Sequence, residues 1–142
     1  MFFYCHQISL KQTFTQQPDF GLEVPCTIQR SGDLISRIYL ETTLPSINIS
    51  SGVTTGTSYK AFRWLNWIGH ILIKQCDISI GGSKIDKQYG EWLHIWNELT
   101  QDPGKAAGYA EMVGNVPQLT QIYSSNDSST DCETGTYKLF IP

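Results

Sequence analysis

Residues 64–100 read WLNWIGHILIKQCDISIGGSKIDKQYGEWLHIWNELT, and the changes of period inside them decide how the chain folds. Ile78 and Ile80 alternate up to Gly81-Gly82, and Ile85 follows; a Gly-Gly pair supplies the positive φ angles of a tight two-residue hairpin. After Gly90 the period becomes helical. Trp92, Ile95, Trp96 and Leu99 fall at i, i+3, i+4 and i+7, with Glu91, His94, Asn97 and Glu98 largely off that stripe. The spacing predicts one short amphipathic helix near 91–100, stopping before Asp102-Pro103-Gly104. Upstream, Trp67, Ile71 and Ile73 occupy odd positions, whereas Cys76, Ile78 and Ile80 occupy even ones. Either a β-bulge between Ile73 and Cys76 bends one long strand, or both faces of the strand are covered. A bent strand in a curved sandwich is the expectation.

Outward from this stretch the chain reads as β-structure. LEVPCTIQR (22–30) is rich in β-branched residues and runs into the turn signal Ser31-Gly32-Asp33. In LISRIYLETTL (34–44), apolar residues at 34, 38, 40 and 44 share one face, Arg37, Glu41 and Thr43 point the other way, and Pro45 ends the strand. Residues 46–60 and 124–135 are Ser-, Thr- and Gly-rich loops. KAAGYAEMV (105–113) suggests a second short helix, and TYKLFIP (136–142) opens another strand. This gives about five strands where a sandwich uses seven or eight, so the expected fold is an all-β, incomplete β-sandwich.

The 142 residues (16.0 kDa) are the length of one domain or a piece of one. A net charge of −3, with ten scattered Lys and Arg residues, argues against a grip on nucleic acid. MFFYCHQISLK lacks a basic n-region and a cleavage site, which argues against a secretory leader. The apolar run Trp64–Ile73 is too short to span a bilayer. Cys5, Cys26, Cys76 and Cys132 would permit two disulfides, but nothing else points to secretion, and free thiols in a reducing compartment are favoured. No CxxC spacing exists, and His6, His70 and His94 are not placed to complete a zinc site. The sequons at Asn48 and Asn126 carry little weight without a secretory signal.

The chemical motifs are sparse. Gly104-Lys105 lacks the remaining glycine and hydroxyl residue of a phosphate loop, and GxGxxG and GxSxG are absent. Glu91 and Glu98, seven apart on a helix, form a candidate carboxylate pair, but two solvated helix carboxylates are the commoner case. His70 in an apolar run reads as a hydrogen-bonded core or interface residue, and His94 as a surface one. Trp64, Trp67, Trp92 and Trp96 could make a sugar-stacking platform, the basis of an alternative as a jelly-roll carbohydrate-binding protein. Helical spacing at 92 and 96 better suits plugging the end of a sandwich. No catalytic, cofactor-binding or metal residues are assigned, and no enzyme activity is expected.

The ordered strings DFG (19–21), RSGDLISRIYLETTLP (30–45), residues 64–100 and MVGNV (112–116) together resemble one family. Specificity comes from Gly32-Asp33-Leu34-Ile35, Ile68-Gly69-His70, Gly81-Gly82 with Ile85-Asp86, and Tyr89-Gly90-Glu91-Trp92-Leu93 in one order. From Thr13 to Pro142 the chain resembles the N-terminal part of the major capsid proteins of large nucleocytoplasmic DNA viruses, of iridovirus, phycodnavirus and mimivirus type. The resemblance implies a double jelly-roll subunit that forms trimeric capsomers in an icosahedral shell. Residues 1–142 would be the N-terminal part of the first jelly roll, without its late strands or the second roll. The implied partners are further copies of the same protein and minor capsid proteins, with no direct nucleic-acid contact or membrane insertion. The implied location is the virion shell, assembled in the infected cell's cytoplasm.

Overall fold

A computed structural model describes residues 8–49, 60–125 and 132–142. The chain divides into two units, Met1–Ser36 and Arg37–Pro142. The described part of the first unit is irregular. Asp19 caps a turn: its carbonyl accepts from Leu22 N–H, its carboxylate accepts from Phe20 N–H, and Gly21 takes φ +78°. A positive φ at the third residue is what a type II turn requires. The run 22–30 is not a strand. It lies opposite residues 13–16 through isolated bonds: Thr15 donates from both N–H and Oγ1 to the Pro25 carbonyl, and Cys26 Sγ to the Thr13 carbonyl. Pro25, in the middle of the run, has no N–H for a ladder.

The second unit carries, in chain order, β1 (Leu40–Leu44), β2 (Asn48–Ile49), β3 (Lys60–Phe62), α1 (Ile68–Leu72), β4 (Gln75–Ile80), β5 (Ser83–Tyr89), α2 (Gly90–Thr100), α3 (Ala106–Val113), α4 (Pro117–Thr120), β6 (Tyr123–Ser125), β7 (Cys132–Glu133) and β8 (Tyr137–Ile141). Eight strands therefore stand among the described residues where the sequence suggested about five, and four helices where it suggested one with a possible second. Their pairing is nested and antiparallel throughout: β1 with β8, β2 with β7, β3 with β6, and β4 with β5. The described strands are thus nested as in one long hairpin about Gly81-Gly82, whose φ angles are +60° and +83°. Each ladder has two strands, so no four-stranded sheet forms among the described residues.

Two further sequence expectations change. The strand at 34–44 is confined to β1, and Leu34 is 94% exposed. The phase change in 64–80 comes from neither a bulge at 73–76 nor a doubly covered strand: α1 interrupts the run. Trp67 starts that helix with a left-handed backbone (φ 57°, ψ 38°), and its carbonyl accepts from His70 and Ile71 N–H. The bulge lies nearer the tip, where Ile78 faces Asp86 but Ser79 faces Lys84, leaving Ile85 as the extra residue on β5.

The core sits where β1–β8 meets α1, the end of α3, and α4. Leu44, Ile68, Val116, Leu119, Leu139 and Ile141 form the buried cluster, with Leu40, Trp64, Leu72, Ile73 and Tyr137 against it. Period-two alternation puts Leu139 and Ile141 on one face of β8, while Lys138 on the other reaches Glu41 at 2.6 Å. α3 ends in a Schellman motif: Asn115 N–H bonds the Ala110 carbonyl, Gly114 N–H that of Glu111, and Gly114 takes φ +81°. Pro117 begins α4 at a position where a missing N–H costs nothing.

Candidate assembly surface

α2 docks in the opposite sense to the one its apolar stripe suggests. Gly90 and Asn97 are buried and Leu93 and His94 half-buried, positions i, i+3, i+4 and i+7 of the inward face. Gly90 fixes this orientation, because a Cβ there would fall on the carbonyl oxygens of His70 and Ile73. The helix can approach α1 this closely only through glycine. The stripe consequently faces solvent: Trp92 is 43% exposed, Ile95 49%, Trp96 55% and Leu99 74%. Plugging by Trp92 and Trp96 is therefore not what the described residues do.

Trp92 and Trp96 stand 5.8 Å apart with ring planes 36° from each other, so they make no flat platform for a sugar ring. They flank a shallow groove of about 410 Å³ with Gln88 and Leu93. The hairpin that runs directly into α2 adds exposed Ile78, Ile80, Ile85 and Tyr89. Lys87 lies over the Tyr89 ring at 5.1 Å, and Lys84 pairs with Asp77. Solvent-facing apolar groups in this number, rimmed by charge, make the kind of patch that interaction surfaces present.

The other candidate residues disperse. Glu91 and Glu98 are both exposed; Glu98 lines a cavity of about 210 Å³ with Trp67, Asn97, Gln101, Ala106 and Tyr109, and Glu91 does not. The carboxylate pair is not assembled around one cleft. His70 is buried, as expected, with Nε2 2.8 Å from the Tyr109 hydroxyl. Burial, and then the neighbouring His94, hold its pKa below the ordinary value, while burial pushes Tyr109 up. His94 is a departure from expectation: it is half-buried, 5.6 Å from the His70 ring and 5.4 Å from Trp67. Its signal was its place beside Asn97 on the inward face. Trp64 packs on the core, edge-to-face with Phe62 at 5.2 Å.

Cys26 and Cys76 are exposed free thiols; Cys5, His6, Asn126 and most of the two polar loops lie outside the described residues. Among the described residues no group of three or more His, Cys, Asp or Glu could hold a metal ion, and no helix is long and apolar enough to cross a membrane.

Comparison with known proteins bears on what such a surface serves. The family model described as "Major capsid protein N-terminus" matches residues 3–142. The major capsid protein of Phaeocystis pouchetii virus is 48% identical over 123 residues, covering 87% of this chain and 23% of the relative. "Probable capsid protein 4" of Acanthamoeba polyphaga mimivirus is 39% identical over 135 residues, covering 94% and 24%. The major capsid protein of Invertebrate iridescent virus 3 is 28% identical, covering 83% and 27%. This chain thus spans about a quarter of the relatives' length. The solved structure of PBCV-1 VP54, fitted into a reconstruction of the virophage Sputnik, superposes with a TM-score of 0.59 at 19% identity, over 92% of this chain and 26% of that one, a likeness of fold. A match from residue 3 to residue 142 leaves almost none of the sequence outside it, and the chain belongs to the family of major capsid protein N-terminal regions of large DNA viruses.

Proposed function

We propose that this chain is the N-terminal part of a non-enzymatic structural subunit of an icosahedral viral shell. It acts by burying surface against other copies in trimeric capsomers, with minor capsid proteins as further neighbours. Its place is the virion, after assembly in the host cytoplasm, and its fold is the first of two jelly rolls. The nested order of the four ladders supports the jelly roll, since an eight-stranded roll is a long hairpin wrapped into two sheets. Two-stranded ladders leave each strand with one side to be paired, in keeping with a portion of a larger sandwich.

The outward stripe of α2 is the observation that carries the assembly reading. A specific interface buries about 800 Å² per partner around an apolar, aromatic centre. Trp92, Ile95, Trp96 and Leu99, with the hairpin isoleucines, supply such a centre. Sedimentation of the purified chain tests the reading. Concentration-dependent association that Trp92→Ser/Trp96→Ser weakens is the expected result; a wild-type monomer at high micromolar concentration would overturn it.

A further inference from the structure

Where α1, α2 and α3 meet, the contact is made by rings. His70 stacks parallel to Trp67, with centroids 5.7 Å apart and planes within 1°. His94 stands 5.6 Å from His70, and Tyr109 5.8 Å from it, with its hydroxyl on His70 Nε2. His70 is 2% exposed. Nδ1 of His70, Nδ1 of His94 and Oδ1 of Asn97 are buried without a hydrogen-bond partner among the described residues. The arrangement starts at Trp67, whose left-handed backbone is found at no other non-glycine residue among those described. Such a conformation costs about 1–2 kcal/mol and persists only where the surroundings hold it.

We propose that His70, packed against His94, is an acid-sensitive latch: neutral, it seats α2 on α1 and α3, and protonated, it lets α2 lift away. An imidazolium at His70, shut off from water and 5.6 Å from the His94 ring, would find no carboxylate among the described residues to pair with. The charged groups of α2, α3 and β8 are exposed. On α2, Glu91 is exposed, and Glu98 is exposed at the rim of the cavity beside Trp67 and Tyr109. On α3 and at its start, Lys105 and Glu111 are exposed, and Tyr109 offers only a hydroxyl. On β8, Lys138 pairs with Glu41, and the Tyr137 hydroxyl donates to the Glu111 carbonyl.

The direction follows from linkage. His70 is held below the ordinary value of 6.5. Above that pH neither the seated nor the released state binds a proton there, and the latch is at full strength. As pH falls through 6.5 only the released state takes one up, so closure weakens until the seated-state value is reached. Between pH 7.5 and 5.5 the opening constant should rise, with about tenfold as the ceiling for one proton. Because α2 carries the apolar stripe, release would also alter association; that consequence rests on the capsid reading, whereas the release does not.

Amide hydrogen exchange at pH 7.5 and 5.5, corrected for intrinsic rates, tests the latch, with sedimentation of the same samples reporting association separately. α2 amides should lose protection, by up to about tenfold, while β8 amides keep theirs, and His70→Gln should abolish the difference. Should that variant not fold, His94→Gln, which removes the neighbouring charge, should shrink the loss. Equal loss in α2 and β8, no loss in either, or an undiminished loss in the variants would overturn the proposal. Release without any change in association would spare the latch and count against the assembly role of α2.

Discussion

Gly114 is the residue on which the docking of α3 against the core turns, and its replacement by alanine gives a sharp test of the packing. Two costs arise together. The backbone there has φ +81°, and a non-glycine residue in the left-handed region loses about 1–2 kcal/mol. The added Cβ would stand 2.7 Å from Ile68 Cγ2, 2.7 Å from Leu139 Cδ2 and 3.1 Å from Leu119 Cδ1, three side chains of the buried cluster. Forcing a methyl group into a filled core costs typically about 1–3 kcal/mol. Gly114→Ala should therefore destabilise the Arg37–Pro142 unit by about 2–5 kcal/mol, lowering its Tm by roughly 10 °C or more. Gly108, on the same helix, meets nothing within 4 Å, and Gly108→Ala should instead gain up to about 1 kcal/mol from helix propensity. Gly114→Asn separates the costs, since asparagine tolerates the left-handed backbone but keeps the Cβ. Urea unfolding followed by far-UV circular dichroism reads all three. A Gly114→Ala midpoint within about 0.5 kcal/mol of wild type would refute the close packing of Ile68, Leu119 and Leu139 around this glycine.

Three further outcomes are expected. Leu139→Ala, at the fully buried centre of β8, should lose about 2–5 kcal/mol in urea unfolding. Thr134 is buried, its Oγ1 accepting from Ile47 N–H at 2.9 Å and its N–H donating to the Ile47 carbonyl at 3.0 Å; Thr134→Val leaves that Ile47 donor unmatched and should cost about 1–3 kcal/mol by the same assay. The hydrogen bond from Lys84 holds the Asp77 carboxyl below the ordinary value of 3.8, so the hairpin's stabilisation from it is complete above that pH and is lost as pH falls through the lower native value. A carbon-detected NMR titration should place Asp77 below ordinary aspartates, and Lys84→Met should raise it.

Legibility in the sequence followed the range of the interaction responsible. β5, α2 and β8 were readable because each is announced locally, by Gly81-Gly82, by the switch to helical period after Gly90, and by the alternation in TYKLFI. α1 was not, since five residues make little more than one helical turn, and its onset depends on a left-handed tryptophan that no propensity favours. The run at 22–30 has strand composition but Pro25 in its centre, and composition does not supply a ladder partner. The face α2 buries departs from its apolar stripe for a tertiary reason: close approach at Gly90 outweighs the stripe, so His94 and Asn97 go inward and the tryptophans outward. The short β2, β3, β6 and β7 exist only through partners far along the chain.

The nested pairing also sets a schedule for how the molecule is made. Leu40 pairs with Ile141, about 100 residues away, whereas Ile80 pairs with Ser83 across two glycines. Closing the outer ladder first would mean restricting a very long loop, while the tip can form in microseconds. Each inner ladder, once made, shortens the loop the next must close, so zipping runs from Gly81-Gly82 towards the ends. On a ribosome adding roughly 5–20 residues per second, β1 waits about 5–20 s for β8 to be synthesised. Through that interval Leu40 and Leu44 belong to a strand without its partner, and the yield of folded protein depends on how they are kept from pairing with another chain.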